Sequence, residues 1–217
     1  IIPDTLAQCF ENSERYSLDF LFFDATTISD MGVNLSTANV QYSRTAYPGY
    51  VVQDGVKAMA QLLRKDEFLV SPCLIFTLRA YSVEKDFSFL EGIVHEDELY
   101  SVLLYLNASR VMYLPKPLFV RRFRANSTMT TTISRHNIKS YFTVATRLQN
   151  LAMQQPPYKA VVDLYLSKML NAVLWKAHKM SFSDRFYIFK VSIDQWYSYI
   201  TFRSWLVLLF KKYIPSR

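Results

Sequence analysis

The sequence predicts an α/β fold, a mixed sheet flanked by helices, followed by an all-helical C-terminal region. The chain has 217 residues, of which 51% are hydrophobic and only 4 are glycine, so it holds enough apolar material for a sizeable core. Short apolar segments alternate with amphipathic helical patterns over residues 1–135, and long helical patterns take over in residues 136–217. We therefore expect two regions that meet near residue 135.

The elements of the first region follow from hydrophobic spacing. Residues 4–16 and 53–65 have the spacing of amphipathic helices, and the almost wholly apolar segment 18–25 predicts a buried strand. Residues 26–50, rich in Thr, Ser, Asn and Tyr, predict a long irregular excursion, and loops of that length are usually functional. Residues 69–81 are apolar, but their spacing does not separate helix from strand.

A helix, two strands and four further helices complete the prediction. Apolar residues recur at i, i+3, i+4 and i+7 from Leu99 to Leu106, which indicates a helix with one face toward a core. The segments "RVMYL" and "PLFVRRF" predict two short strands separated by Pro115. The helices of the second region are expected at residues 137–154, 158–179, 184–200 and 202–213.

Charge and cysteine content limit the class of function. The formal net charge of +7 indicates an anionic partner, such as a phosphate, a nucleotide, a nucleic acid or lipid headgroups. Cys9 and Cys73 are the only cysteines, and they lack the spacing of a metal site or a disulfide framework, which favours a reducing compartment. No apolar run reaches the roughly 18–20 residues of a membrane-spanning helix.

The segment His95-Glu96-Asp97-Glu98 is the first candidate for chemistry. Carboxylates fit the start of a helix, because the helix dipole favours negative charge there by about 0.3–1 kcal/mol. In that interpretation Asp97 caps the helix, and Glu96 and Glu98 lie in its first turn. The alternatives are a metal site of His95, Glu96 and Glu98, or a catalytic base; a zinc-protease motif is excluded because position 99 is Leu.

The segment "RRFRANSTMTT", residues 121–131, is the second candidate. It places Arg121, Arg122 and Arg124 just past a predicted strand, close in sequence to Ser127. Arginine forks match phosphate oxygens bidentately and hydroxyls add donors, so the segment favours a phosphate site. A solvated basic turn is the alternative.

These segments resemble the bacterial family 2 glycosyltransferases with the GT-A fold. The stretch "FLEGIVHEDELYSVLLYLNASRVMYLPKPLFVRRFRANSTMTT", residues 89–131, is similar in order and spacing to the C-terminal half of their catalytic domain. Residues 3–25 are similar to the helix and strand that follow the metal-binding Asp-x-Asp segment of these enzymes. The resemblance covers roughly residues 1–135 and implies a partial GT-A-type mixed sheet.

The resemblance also implies a mechanism, in which a sugar moves with inversion from a nucleotide-sugar donor to a saccharide or lipid-linked acceptor during cell-surface polysaccharide synthesis. It makes Asp97 the base that takes the proton of the acceptor hydroxyl, with Glu96 as its neighbour. Arg121, Arg122 and Arg124 would face the diphosphate or order the loop that covers it. Two weaker substrate-binding candidates are Ser127, as a loop contact, and His95, as a residue that orients the acidic segment.

The donor-binding half of these enzymes is expected to lie outside this chain. No Asp-x-Asp in the usual context occurs here, so we expect the chain to be the acceptor-side half of a hexosyltransferase. A divalent metal, Mn or Mg, is expected for the full-length enzyme, with its main ligands outside these residues.

The C-terminal segment 199–217 mixes large apolar residues with Arg203, Lys211, Lys212 and Arg217. Such a segment is typical of a helix that lies in a membrane interface, and equally of a helix packed inside the protein. Membrane contact would place the enzyme in the cytoplasm at the inner face of the membrane. The aromatic residues Trp196, Tyr197 and Tyr199 are expected in the core.

Two other classes of function remain as alternatives. The chain is then a non-catalytic basic module that binds membrane or nucleic acid, or an inactive remnant of a glycosyltransferase. No known nucleic-acid motif occurs and the basic residues are spread rather than striped, so we expect no nucleic acid partner.

Overall fold

The structure, a computed structural model, describes residues 1–30, 42–124 and 133–211, and the chain divides into two compact units. We call Ile1–Phe89 with Tyr100–Thr131 the sheet unit. We call Leu90–Leu99 with Thr132–Arg217 the helical unit. The acidic segment therefore belongs to the helical unit.

The sheet unit contains the first helices and all the strands of the described residues. In chain order the elements are α1 (Thr5–Tyr16), β1 (Phe20–Ser29), β2 (Val52–Gln53), α2 (Gly55–Arg64), a 3-10 turn (Pro72–Leu74), β3 (Ile75–Thr77), α3 (Arg79–Glu84), α4 (Glu96–Asn107) and β4 (Val111–Phe123). The first turn of α4 lies in the helical unit and the rest of the helix in the sheet unit.

The four strands form one mixed sheet in the order β2-β4-β1-β3. The long central strands β1 and β4 are parallel, and the short outer strands β2 and β3 are antiparallel to their neighbours. This mixed sheet flanked by helices confirms the predicted fold class.

Side chains on both faces of the sheet are buried. On one face, Leu21 and Met112 pack in an apolar cluster with Cys9 of α1. On the other face, the ring of Phe20 meets that of Tyr105 in α4 edge-on, with centroids 4.9 Å apart. Because both faces are covered there, the first halves of the two strands, Phe20–Phe23 of β1 and Val111–Leu114 of β4, are continuous apolar runs rather than alternating ones.

Two strand predictions needed correction. β1 continues to Ser29, four residues past the predicted end at 25, because it pairs along the whole length of β4. The two short strands expected around Pro115 are one strand, β4. Its register against β1 shifts between Phe23 and Ala25, opposite Pro115 and Pro117, so the missing proline N–H groups fall at an irregularity of the ladder.

Besides the first turn of α4, the described part of the helical unit contains four helices and a 3-10 turn (Pro156–Tyr158). The helices are α5 (Arg135–Gln154), α6 (Lys159–Ala177), α7 (Phe182–Trp196) and α8 (Phe202–Phe210). Helix α6 is central, because it packs against both α5 and α8 and has nine buried side chains along its length. The side chains of Ser134, Ser181 and Thr201 cap α5, α7 and α8.

Two expectations for the helical region come out differently. The helix expected over 184–200 begins earlier, at Phe182, because Ser181 caps it, and it ends at Trp196. Trp196 is buried as expected, whereas Tyr197 is 68% exposed. Among the described residues, no helix is both long and apolar enough to span a bilayer.

Candidate functional site

The acidic segment forms the first turn of α4, which begins at Glu96. The N–H of Glu98 donates to the carbonyl oxygen of His95 at 3.1 Å. Asp97 therefore lies inside the first turn and is not the capping residue that precedes the helix. His95 has a left-handed backbone, with φ of 68°, at the point where the chain turns into the helix.

Helix α5 fixes the residues on the N-terminal side of this turn. The N–H of Val94 donates to the Ser140 hydroxyl oxygen at 3.1 Å. The imidazole of His95 stacks on the Tyr141 ring, with centroids 4.3 Å apart and planes at 22°. The amide Nδ2 of Asn137 donates to His95 Nε2 at 3.1 Å. Asn137, Ser140 and Tyr141, spaced i, i+3 and i+4 on one face of α5, thus hold the segment in place.

Asn137 also caps α5, and this fixes the direction of its amide. Its Oδ1 accepts from the N–H of Ser134 at 2.9 Å and from the Ser134 hydroxyl at 2.6 Å. With the oxygen occupied, the NH₂ group faces His95, whose Nε2 acts as the acceptor. Burial and the nearby charge of Lys176 lower the pKa of His95, while Glu96 raises it. A neutral imidazole fits both observations.

Glu98 is half-buried against helix α6. The hydroxyl of Tyr165 donates to Glu98 Oε2. Burial raises the pKa of Glu98 to about 7, and Asp97 acts in the same direction, while the Tyr165 hydrogen bond and Lys176 lower it. This turn therefore holds a carboxyl group that exchanges its proton near neutral pH, next in sequence to Asp97.

Sequence reasoning did not single out Glu98 as a residue with altered chemistry. A signal was present, because Glu98 is spaced by four and seven residues from the buried Val102 and Tyr105, on the inward face of α4. An acidic residue on an apolar stripe predicts burial. Its partner Tyr165 lies 67 residues away along the chain, and no local pattern predicts that pairing.

The arginine candidates lie in and just after the end of β4, in the sheet unit. Consecutive residues of a strand point to opposite faces, so Arg121 and Arg122 project away from each other. Arg121 donates to the Ser71 hydroxyl at 3.2 Å and lies over the Tyr42 ring. Arg122 forms a bidentate pair with Asp30, at 2.7 and 3.0 Å.

The remaining sequence candidates are Arg124, Ser127 and the possible metal ligands. Arg124 is exposed just past β4, and its charge helps to lower the pKa of Asp30. Ser127 lies outside the described residues. Within ranges 1–30, 42–124 and 133–211, no group of three or more His, Cys, Asp or Glu side chains is placed to hold a metal ion. The described residues, His95, Glu96 and Glu98 included, therefore do not fit a metal site.

Comparison with known proteins shows what kind of fold this is. No protein-family model matches the chain, and no curated protein matches it in sequence. Solved structures do match, and they give the chain a glycosyltransferase-like fold.

One of these neighbours is TarS of S. aureus, a glycosyltransferase. The crystal structure of TarS residues 1–349 in complex with UDP-GlcNAc superposes with a TM-score of 0.52 at 16% identity, over 95% of this chain. A second structure of TarS 1–349 has a TM-score of 0.47, also at 16% identity, over 96% of this chain and 53% of TarS. The chain spans 52% of the first TarS chain, about half. At this identity the likeness concerns the fold alone.

Proposed function

We propose that the chain is the acceptor-side half of an inverting, nucleotide-sugar-dependent hexosyltransferase of the bacterial family 2 type. The observation that carries the proposal is the acidic first turn of α4, Glu96–Glu98, held by α5 and α6 in a chain with a glycosyltransferase-like fold. The proposal extends to a saccharide or lipid-linked acceptor, to cell-surface polysaccharide synthesis and to a location at the cytoplasmic face of the membrane.

In the proposed reaction, Asp97 accepts the proton of the acceptor hydroxyl while that oxygen attacks the anomeric carbon. The bond from the anomeric carbon to the diphosphate oxygen breaks, and the nucleoside diphosphate leaves from the opposite side. Glu96 adds negative charge beside the base, and His95 orients the turn through its contacts with Asn137 and Tyr141. A metal, Mn or Mg, belongs to the proposal for the whole enzyme, with ligands outside these residues.

The leaving diphosphate is assigned to the cationic residues at the end of β4. Arg121 is the better candidate of the two strand residues, because its contacts are a neutral hydroxyl and a ring. Arg122 is already neutralised by Asp30 and would have to exchange a carboxylate for a phosphate. Arg124 and Ser127 complete the assignment by their positions in the motif.

The test is nucleotide release from sugar donors, beginning with UDP-GlcNAc and continuing through other UDP- and GDP-sugars. We would assay the 217-residue chain and the longest form that its gene encodes, with Mn or Mg present. Asp97→Asn should reduce release by about 10²–10⁴-fold while donor binding, measured by calorimetry, is retained. The matched control is Asp86→Asn, an exposed aspartate in the left-handed region that asparagine tolerates.

Each result of this assay decides one part of the proposal. Release that Asp97→Asn leaves unchanged would remove Asp97 as the base and return the acidic turn to a structural role. Donor binding with no release from the longest form, with any acceptor, would indicate an inactive remnant.

A further inference from the structure

A set of large apolar side chains lies exposed along helix α7. Its members are between 42 and 68% exposed: Phe182, Phe186 and Ile193 of the helix, and Tyr197 at its C-cap. They are spaced by four, seven and four residues, so at about 100° per residue they project within an arc of about 60°. The rings of Phe182 and Phe186 stack with centroids 6.4 Å apart.

Helix α8 carries a second exposed set. Phe202, Leu206 and Phe210 are spaced by four residues and are between 39 and 71% exposed. They project within an arc of about 80°. The fully buried Leu208 faces the other way, so the helix has a buried apolar side and an exposed apolar side.

The two exposed sets lie on the same side of the α7–α8 hairpin. The helices run antiparallel, because Arg185 early in α7 donates to the carbonyl of Leu209 at 2.8 Å and Trp205 in α8 donates to Ser192 late in α7 at 2.9 Å. Seen along each helix from its N-terminus, the exposed set lies roughly 80–110° around the helix axis from the residues that pack between the two helices. The direction of this rotation is the same in α7 and in α8. Between antiparallel helices, equal rotations of one sense bring both sets to one side.

Cationic residues border this face. From its position in the sequence, Lys190 projects next to the exposed α7 set, at the edge that is farther from α8. Arg203 projects next to the exposed α8 set, at the edge that is farther from α7. The described residues 179–211 contain five Lys or Arg and two acidic residues, Asp184 and Asp194. Arg185 is buried and Asp184 pairs with Arg135 at 2.6 Å, so the exposed Lys and Arg side chains of this segment outnumber its one remaining acid, Asp194.

We propose that this face binds the surface of an anionic phospholipid bilayer. Soluble monomers rarely expose large contiguous apolar patches, so a face of this kind has an occupant. Aromatic and aliphatic side chains at the centre fit the boundary of the acyl chains, and the cations at the edges fit headgroup phosphates. The inference rests on the membrane location of the proposed function and assigns it to a surface, but its test does not require sugar transfer.

The experiment is co-sedimentation of the full 217-residue chain with vesicles of phosphatidylcholine, with and without phosphatidylglycerol. The wild type should bind vesicles that contain phosphatidylglycerol. Phe182→Glu with Phe202→Glu should weaken binding by about tenfold or more. The matched control is Leu6→Glu with Phe10→Glu on α1, where two apolar side chains are similarly exposed, at 59 and 58%; it should bind like the wild type.

A charge variant and an oligomer measurement complete the test. Lys190→Glu with Arg203→Glu should remove the preference for phosphatidylglycerol, and circular dichroism should show all three double variants folded. The proposal is overturned if the wild type does not bind these vesicles or if the Phe182/Phe202 variant binds as tightly. Analytical ultracentrifugation without lipid tests whether the face binds a second copy of the chain instead. A wild-type dimer that the Phe182/Phe202 variant abolishes would overturn the proposal as well. Sugar turnover is assayed separately, so a failure of vesicle binding can be distinguished from a failure of the proposed glycosyltransferase activity.

Discussion

Glu98 couples the stability of the helical unit to pH. Its pKa rises from 4.5 to about 7 on folding, so between these values the folded state holds a proton that the unfolded chain has released. Stability from this group is therefore complete below about pH 4.5, falls as pH rises toward 7, and is constant above. Each unit of pKa shift corresponds to about 1.4 kcal/mol.

Glu98→Gln should remove this dependence. Glutamine keeps an acceptor for Tyr165 but does not titrate, so the free energy of unfolding of the variant should rise relative to the wild type between pH 4.5 and 7. Urea unfolding at several pH values measures the difference. Glu11→Gln on the exposed face of α1 serves as the control. A difference that stays constant with pH would show that Glu98 does not titrate in this range.

At the scale of elements, one amide joins α6 to the α7–α8 connection. Asn171 Nδ2 donates to the carbonyl of Tyr199 at 2.9 Å, and its Oδ1 accepts from the N–H of Thr201 at 3.0 Å and the Ser204 hydroxyl at 2.5 Å. The start of α8, and so the orientation of its exposed apolar set, depends on this side chain.

Asn171→Ala should destabilise the protein by about 1–3 kcal/mol, because it removes the hydrogen bonds to Tyr199 and Ser204 and leaves the N–H of Thr201 without its acceptor. Chemical denaturation measures the loss. Asn107→Ala is the control, since Asn107 donates only to the carbonyl of Leu103 in its own helix, at 2.9 Å. Equal effects of the two substitutions would show that the connection does not depend on Asn171.

Local patterns predicted elements, but not how elements meet. The spacing of apolar residues placed α1, α2 and α6 within a few residues of their observed bounds. Pro115 predicted a gap between two strands, because a proline has no N–H to donate. In the structure a single strand, β4, runs through Pro115, since the pairing of β4 with β1 is irregular at that point. The acidic segment could be read from its own residues, but its contacts with α5 and α6 join positions more than forty residues apart.

At the scale of the whole chain, the acidic segment belongs to the helical unit although the sheet unit surrounds it in sequence. Its stability should therefore follow that of α5 and α6. The amide of Val94, bonded to Ser140, is a probe of this dependence.

Leu170→Ala, at a fully buried position of α6, should destabilise the helical unit by about 2–5 kcal/mol and speed hydrogen exchange at Val94. Leu21→Ala, equally buried in β1, should affect the amides of the sheet unit first. Exchange measured by NMR distinguishes the two. Acceleration at Val94 by Leu21→Ala alone would contradict the assignment of the segment to the helical unit.

The amide of Asn137, shared between the cap of α5 and the ring of His95, has a consequence for the order of folding. Joining residues 95 and 137 closes a loop of some forty residues, which carries an entropy cost that local helix formation does not. Helices form within about a microsecond, and distant contacts follow more slowly. The turn that carries the proposed base should therefore acquire its native geometry late, after α5 exists to receive it.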